Sequence, residues 1–91
     1  MTKFWGARMP DKLDAINLDA ELTKGLKRLS AYVARATLVG DFVFIFFKSE
    51  PKKNVAHFKD AIMDFLLEKT DLHYSFFKSD KNQWVFREEA L

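Results

Sequence analysis

The chain has 91 residues, 48 % hydrophobic and 15 % aromatic, enough to bury one core and too apolar to stay disordered. Its net charge of +2 is too small to argue for a nucleic-acid partner by itself, and the absence of cysteine excludes disulfides, thiolate catalysis and Cys-based zinc sites together. No apolar run approaches the roughly 18 residues of a membrane span, so no membrane partner is expected.

Met1 to Pro10 reads as an N-terminal arm. It has no apolar stretch of the kind a secretory signal requires, which makes cytoplasmic the expected location, and its Phe4 and Trp5 are apolar enough to dock on something. Residues 11–88 are expected to form a single domain, with 89–91 as a frayed tail. Asp11 suits a short helical turn through Asp14. A stronger helix start is Asn17, whose side chain can cap free backbone N–H groups while Asp19 and Glu21 complement the positive helix end. Leu18, Leu22, Leu26 and Leu29 then recur at helical spacing, with Gly25 a local weakness in the first helix.

Residues 31–39 admit two readings. Val33 and Ala36 continue the helical stripe, and Gly40 could end it. Alternatively, Tyr32 to Val39 pairs with Phe42 to Lys48 across a two-residue Gly40-Asp41 loop, where Gly suits a type II′ turn. The hairpin is preferred because it gives the most apolar stretch a partner. Phe42 to Phe47 is six apolar residues, four of them Phe, with a strand's length and composition. Alternation puts Phe42, Phe44 and Phe46 on one face with Val33, Arg35, Thr37 and Val39. The other face carries Val43, Ile45 and Phe47 with Tyr32, Ala34, Ala36 and Leu38, an apolar seat for helices.

Lys48 to Asn54 is a polar connection in which Pro51 suits a first helical turn. Val55, Phe58, Ile62, Phe65 and Leu66 give the second helix an apolar face through about Lys69. Leu72 to Lys78 and Gln83 to Arg87 read as two further strands, joined by a turn at Ser79 to Asn82. The expected architecture is α+β: helix, strand, strand, helix, strand, strand, forming an antiparallel sheet with two helices packed on one face.

Catalytic constellations are scarce. His57, Asp60 and Asp64 share one side of the second helix, an arrangement more simply read as solvated surface than as a metal site. His73 has no serine or cysteine partner in a nucleophile motif. No enzyme, metal or cofactor is expected. The better candidates are binding surfaces. Lys52 and Lys53, with Lys48 close by, stand at the positive end of the second helix, where they would suit a phosphate or merely solubilise the loop. Phe42, Phe44 and Phe46 beside Arg35 form an aromatic face for stacked single-stranded bases, for a homodimer or protein partner, or for the Phe4-Trp5 arm. The reading that joins these surfaces is a non-enzymatic binding module that contacts nucleic acid, single-stranded by preference, or a partner in nucleic-acid processing, with Arg35, Lys48, Lys52 and Lys53 on phosphates. A protein-interaction or homodimerisation module is its alternative.

Leu38 to Ile45, then Ser49-Glu50-Pro51, then Val55 to Leu66 resembles the conserved block of the DciA-type replicative-helicase operator family: a Gly turn, an apolar strand, a Ser/Pro connection and a leucine-ended helix. The likeness covers roughly residues 30–70. It implies a KH-like α+β domain without the phosphate-clamping Gly-x-x-Gly loop, a replicative helicase as partner, and contact with single-stranded DNA.

Overall fold

The computed structural model describes residues 11–89, with side chains from Leu18 onward. The expected arm, with Phe4 and Trp5, lies outside the described residues, as do Ala90 and Leu91 of the expected tail. The element order is the expected one: α1 (Asp11–Leu29), β1 (Val33–Val39), β2 (Phe42–Phe47), α2 (Val55–Thr70), β3 (Tyr74–Asp80) and β4 (Gln83–Glu88). The four strands form one antiparallel sheet in the order β1-β2-β4-β3. No helix among the described residues is long and apolar enough to cross a membrane.

Helix α1 starts six residues before Asn17, so Asn17 is interior to the helix rather than its cap. Its leucine stripe behaves as the spacing requires: Leu22 and Leu26 are fully buried. Gly25 is a close-approach site rather than a weak point. A Cβ built there would stand 2.2 Å from Cζ of Phe65, so the missing side chain is what lets the α2 ring lie on the α1 backbone. The crossing of the two helices therefore depends on a residue that helix propensity alone disfavours.

Residues 33–39 are strand, and the hairpin closes as expected across Gly40-Asp41, with Val39 opposite Phe42 and a positive φ of 60° at Gly40. One part of the register differs. The pairing slips between Val33 and Arg35, so that Val33 lies opposite Phe47 and Arg35 opposite Phe46. This bulge absorbs one residue and reverses the alternation before it. Val33 is consequently buried at 0 % exposure on the core face, and Tyr32, expected there, is 52 % exposed. Strict period-two reading put Val33 on the wrong side and gave Tyr32 a burial it does not have.

Pro51 is buried, but it stands ahead of α2 instead of in its first turn, and the helix is entered through Asn54 in a left-handed conformation. The strand β3 starts two residues later than expected and runs on to Asp80, leaving Lys81-Asn82 as the turn. A second register shift falls between Phe76 and Lys78. β4 extends through Glu88, and the N–H of Glu89 donates to the carbonyl of His73 at 2.8 Å, so the chain is still held where fraying was expected.

Both helices bury their apolar stripes on the same sheet face. Leu22, Leu26, Ile62 and Leu66 close over Val33, Ala36, Val43, Ile45, Phe47, Tyr74, Trp84 and Phe86. Trp84 is the aromatic centre of this core, with ring centroids 4.9 Å from Phe47, 5.4 Å from Phe58 and 5.9 Å from Phe76. Lys59 covers its margin, with Nζ 3.7 Å from the centroid of Phe76 and its stem along α2.

Helix α1 also seals the outer edge of β1. Thr23 Oγ1 accepts from the N–H of Ala36 at 2.9 Å and donates to the carbonyl of the same residue at 3.0 Å. One turn earlier, Asp19 accepts the N–H of Leu38 at 2.8 Å and the hydroxyl of Thr37 at 2.7 Å. These bonds satisfy backbone groups that an edge strand would otherwise offer to another chain. Asp19 is thus a mid-helix clamp on the sheet, eight residues from the helix start it was expected to complement.

Candidate functional site

The sheet face opposite the helices carries no described element. Its residues follow from the pairing. One row across the strands is Arg35, Phe46, Gln83 and Asp80, the next Thr37, Phe44, Val85 and Lys78, and the third Val39, Phe42, Arg87 and Ser75. Alternation placed Phe42, Phe44 and Phe46 here correctly, and the sheet order supplies what surrounds them.

The three phenylalanines are half-buried by their neighbours, while Val39 and Phe77 at the margins are 55 % and 47 % exposed. Phe42 stands 6.3 Å from Phe44 and 5.5 Å from Phe77 between ring centroids, in tilted arrangements. Val85 forms the floor, only 3 % exposed although it lies outside the core cluster. Cations are set directly on the rings. The Arg35 guanidinium lies 4.7 Å from the Phe46 centroid and that of Arg87 lies 5.8 Å from Phe77. With Lys78, the rows hold three cations against the single carboxylate of Asp80. The Thr37 hydroxyl belongs to the face but is occupied by Asp19.

The predicted phosphate contacts are divided by the fold. Arg35 is on this face. Lys48 follows the last residue of β2 and is exposed, with its N–H donating to the carbonyl of Tyr32 at 2.7 Å. Lys53 instead lines a shallow hollow on the helix side, with Leu29, Tyr32, Asn54 and His57. Lys52 is exposed in the same connection. The α2 entrance they flank has no side-chain cap from Asn54 and no acidic residue in its first turn. The two proposed binding surfaces are therefore separate places, and of the four predicted cations Arg35 belongs to the aromatic one.

Sequence reading missed Arg87, Lys78 and Phe77. Their signal was the alternation within Gln83 to Arg87, but using it required the pairing of Phe42 with Arg87 and of Phe44 with Val85, two strands that are distant in sequence. Elsewhere, His57, Asp60 and Asp64 are all exposed on α2, and the described residues contain no group of three or more His, Asp or Glu side chains positioned for a metal. Among the described residues Tyr74 is the perturbed ionisable group. Burial pushes its phenol above the ordinary 10.0, and the nearby Glu88 carboxylate raises it further. It faces the core and serves no open site.

No family model, curated protein or solved structure matches this chain.

Proposed function

We propose that the protein is a non-enzymatic module that binds single-stranded nucleic acid on the open face of its sheet. The observation that supports this most directly is the alternation on that face: half-buried phenylalanines with Arg35 over the Phe46 ring, Arg87 near the exposed Phe77 ring and Lys78 in the neighbouring row. An unpaired base offers an apolar π-face and a phosphate to every residue of strand, and this surface offers both complements side by side. A duplex hides its base faces and would use only the cations. Stacking on one aromatic residue contributes about 1–3 kcal/mol per base by alanine substitution, so loss of one central ring should be measurable. A role beside a replicative helicase, which the likeness to the DciA-type block implies, belongs to the same reading as the setting in which such a strand would be met.

The test is fluorescence anisotropy of labelled oligo-dT and oligo-U at low salt. The wild type should bind both more tightly than duplex of equal length, and Phe44→Ala should weaken binding roughly ten-fold or more while circular dichroism shows an intact fold. Absence of binding at low salt would overturn the proposal. So would a dimer, seen by light scattering and broken by Phe44→Lys, that buries the same face and leaves oligonucleotides unbound.

A further inference from the structure

The groove between α1 and β1 borders the open face at Arg35 and is built differently from it. It is shallow, about 470 Å³, and lined by Asp19, Ala20, Thr23, Lys24, Lys27, Arg35 and Ala36. Its polar atoms fall into two groups. Asp19 and Thr23 are committed to the β1 edge through their bonds to Leu38, Thr37 and Ala36. Lys24 and Lys27 are exposed and three residues apart, which places them on neighbouring turns of one helix side.

Direction matters here. Helix α1 runs antiparallel to β1, since Asp19 meets Leu38 and Thr23 meets Ala36. The carboxylate thus sits at the Leu38 end, and Lys27 continues toward the Arg35 end. Arg35 is the corner residue: it lines the groove and its guanidinium also stacks on Phe46. A surface with rings on one side of an arginine and lysines on the other matches the two sides of a single strand, bases and phosphates.

Resting on the function proposed above, we infer that this groove is the phosphate track of the bound strand. Lys24, Lys27 and Arg35 hold successive phosphates, and the bases turn over the β1 rim onto Phe46 and Phe44. Lys52 and Lys53, on the helix-side connection, take no part.

The salt dependence of binding separates this inference from its premise, because each phosphate contact on a single strand contributes about 0.7 to the slope of log affinity against log salt. With oligo-dT, the double variant Lys24→Gln/Lys27→Gln should lower that slope by roughly 1.4 and weaken binding. Phe44→Ala should weaken binding with the slope unchanged, and Lys52→Gln/Lys53→Gln should change neither. All five residues are exposed or half-buried at the surface, and circular dichroism would verify each fold. Tight wild-type binding with an unchanged slope in the Lys24/Lys27 variant would overturn the track while leaving the proposed function standing. A slope carried by Lys52 and Lys53 would move the phosphates to the loop and overturn it equally. No binding by the wild type would remove both.

Discussion

The two faces of this sheet use the same side chains for opposite ends. On the core face Phe47 and Phe86 pack around Trp84 under two helices and are essentially excluded from solvent. On the other face Phe42, Phe44 and Phe46 sit in β2, one residue out of phase with Phe47, with Arg35 over Phe46 and no helix among the described residues covering them. Hydrophobicity does not distinguish the two sets, because each is mostly phenylalanine. What distinguishes them is the cross-strand neighbour: apolar partners for Phe47 and Phe86 on the core face, and Arg35 opposite Phe46 and Arg87 opposite Phe42 on the open one. A core tolerates no such charges without partners, whereas a surface that receives a polyanion requires them.

The sharpest way to break the comparison is to truncate an aromatic on each face. Trp84→Ala removes the ring against which Phe47, Phe58 and Phe76 pack and should cost about 3–5 kcal/mol, read as a large fall in urea midpoint. Phe44→Ala should cost well under half of that and act on oligonucleotide binding instead. Equal stability losses would mean that the open face is structural.

Next in size is Gly25→Ala. Propensity predicts a gain of roughly 1 kcal/mol in a helix interior. The Phe65 ring against this backbone predicts a loss of about 1–3 kcal/mol from overpacking, partly recovered by adding Phe65→Leu. A stabilised Gly25→Ala protein would contradict the close crossing of α1 and α2 that covers the core face.

Thr23→Val keeps the shape of the side chain and deletes both bonds to Ala36 at the border between the faces. A loss of about 1 kcal/mol is expected, with faster hydrogen exchange at Ala36 and unchanged exchange in β4. The smallest effect is that of pH. The Tyr74 phenol is raised by burial and by Glu88, so below pH 10.0 both folded and unfolded states keep it protonated. Above that the unfolded chain ionises first, and stability falls as pH rises through the folded value. Tyr74→Phe should flatten this alkaline decline.

Periodicity and turn chemistry made much of this fold legible. Gly40-Asp41 set the hairpin register, and the leucine and Val55-Phe58-Ile62-Leu66 stripes found the helix faces. The errors have local causes. A bulge at Val33 to Arg35 brought Val33 to the core face, since an inserted residue leaves no mark in a period-two pattern. Gly25 looked weak because its role depends on Phe65, forty residues away. Asp19 looked like a helix-start charge because its partners, Thr37 and Leu38, lie on another element. The candidate site was half legible for the same reason. The row of phenylalanines is a property of one strand, but Arg87, Lys78 and Phe77 join it only through the order β1-β2-β4-β3.

The central claim, that one face folds the protein and the other receives a strand, is tested most directly by a residue-resolved NMR titration with oligo-dT. The account predicts saturable amide and ring shifts at Arg35, Phe44, Phe46, Val85 and Arg87, with the Trp84 indole and the α2 residues Ile62 and Leu66 unmoved. Shifts confined to the α2 entrance around Lys53 and His57, or none at low salt, would contradict it.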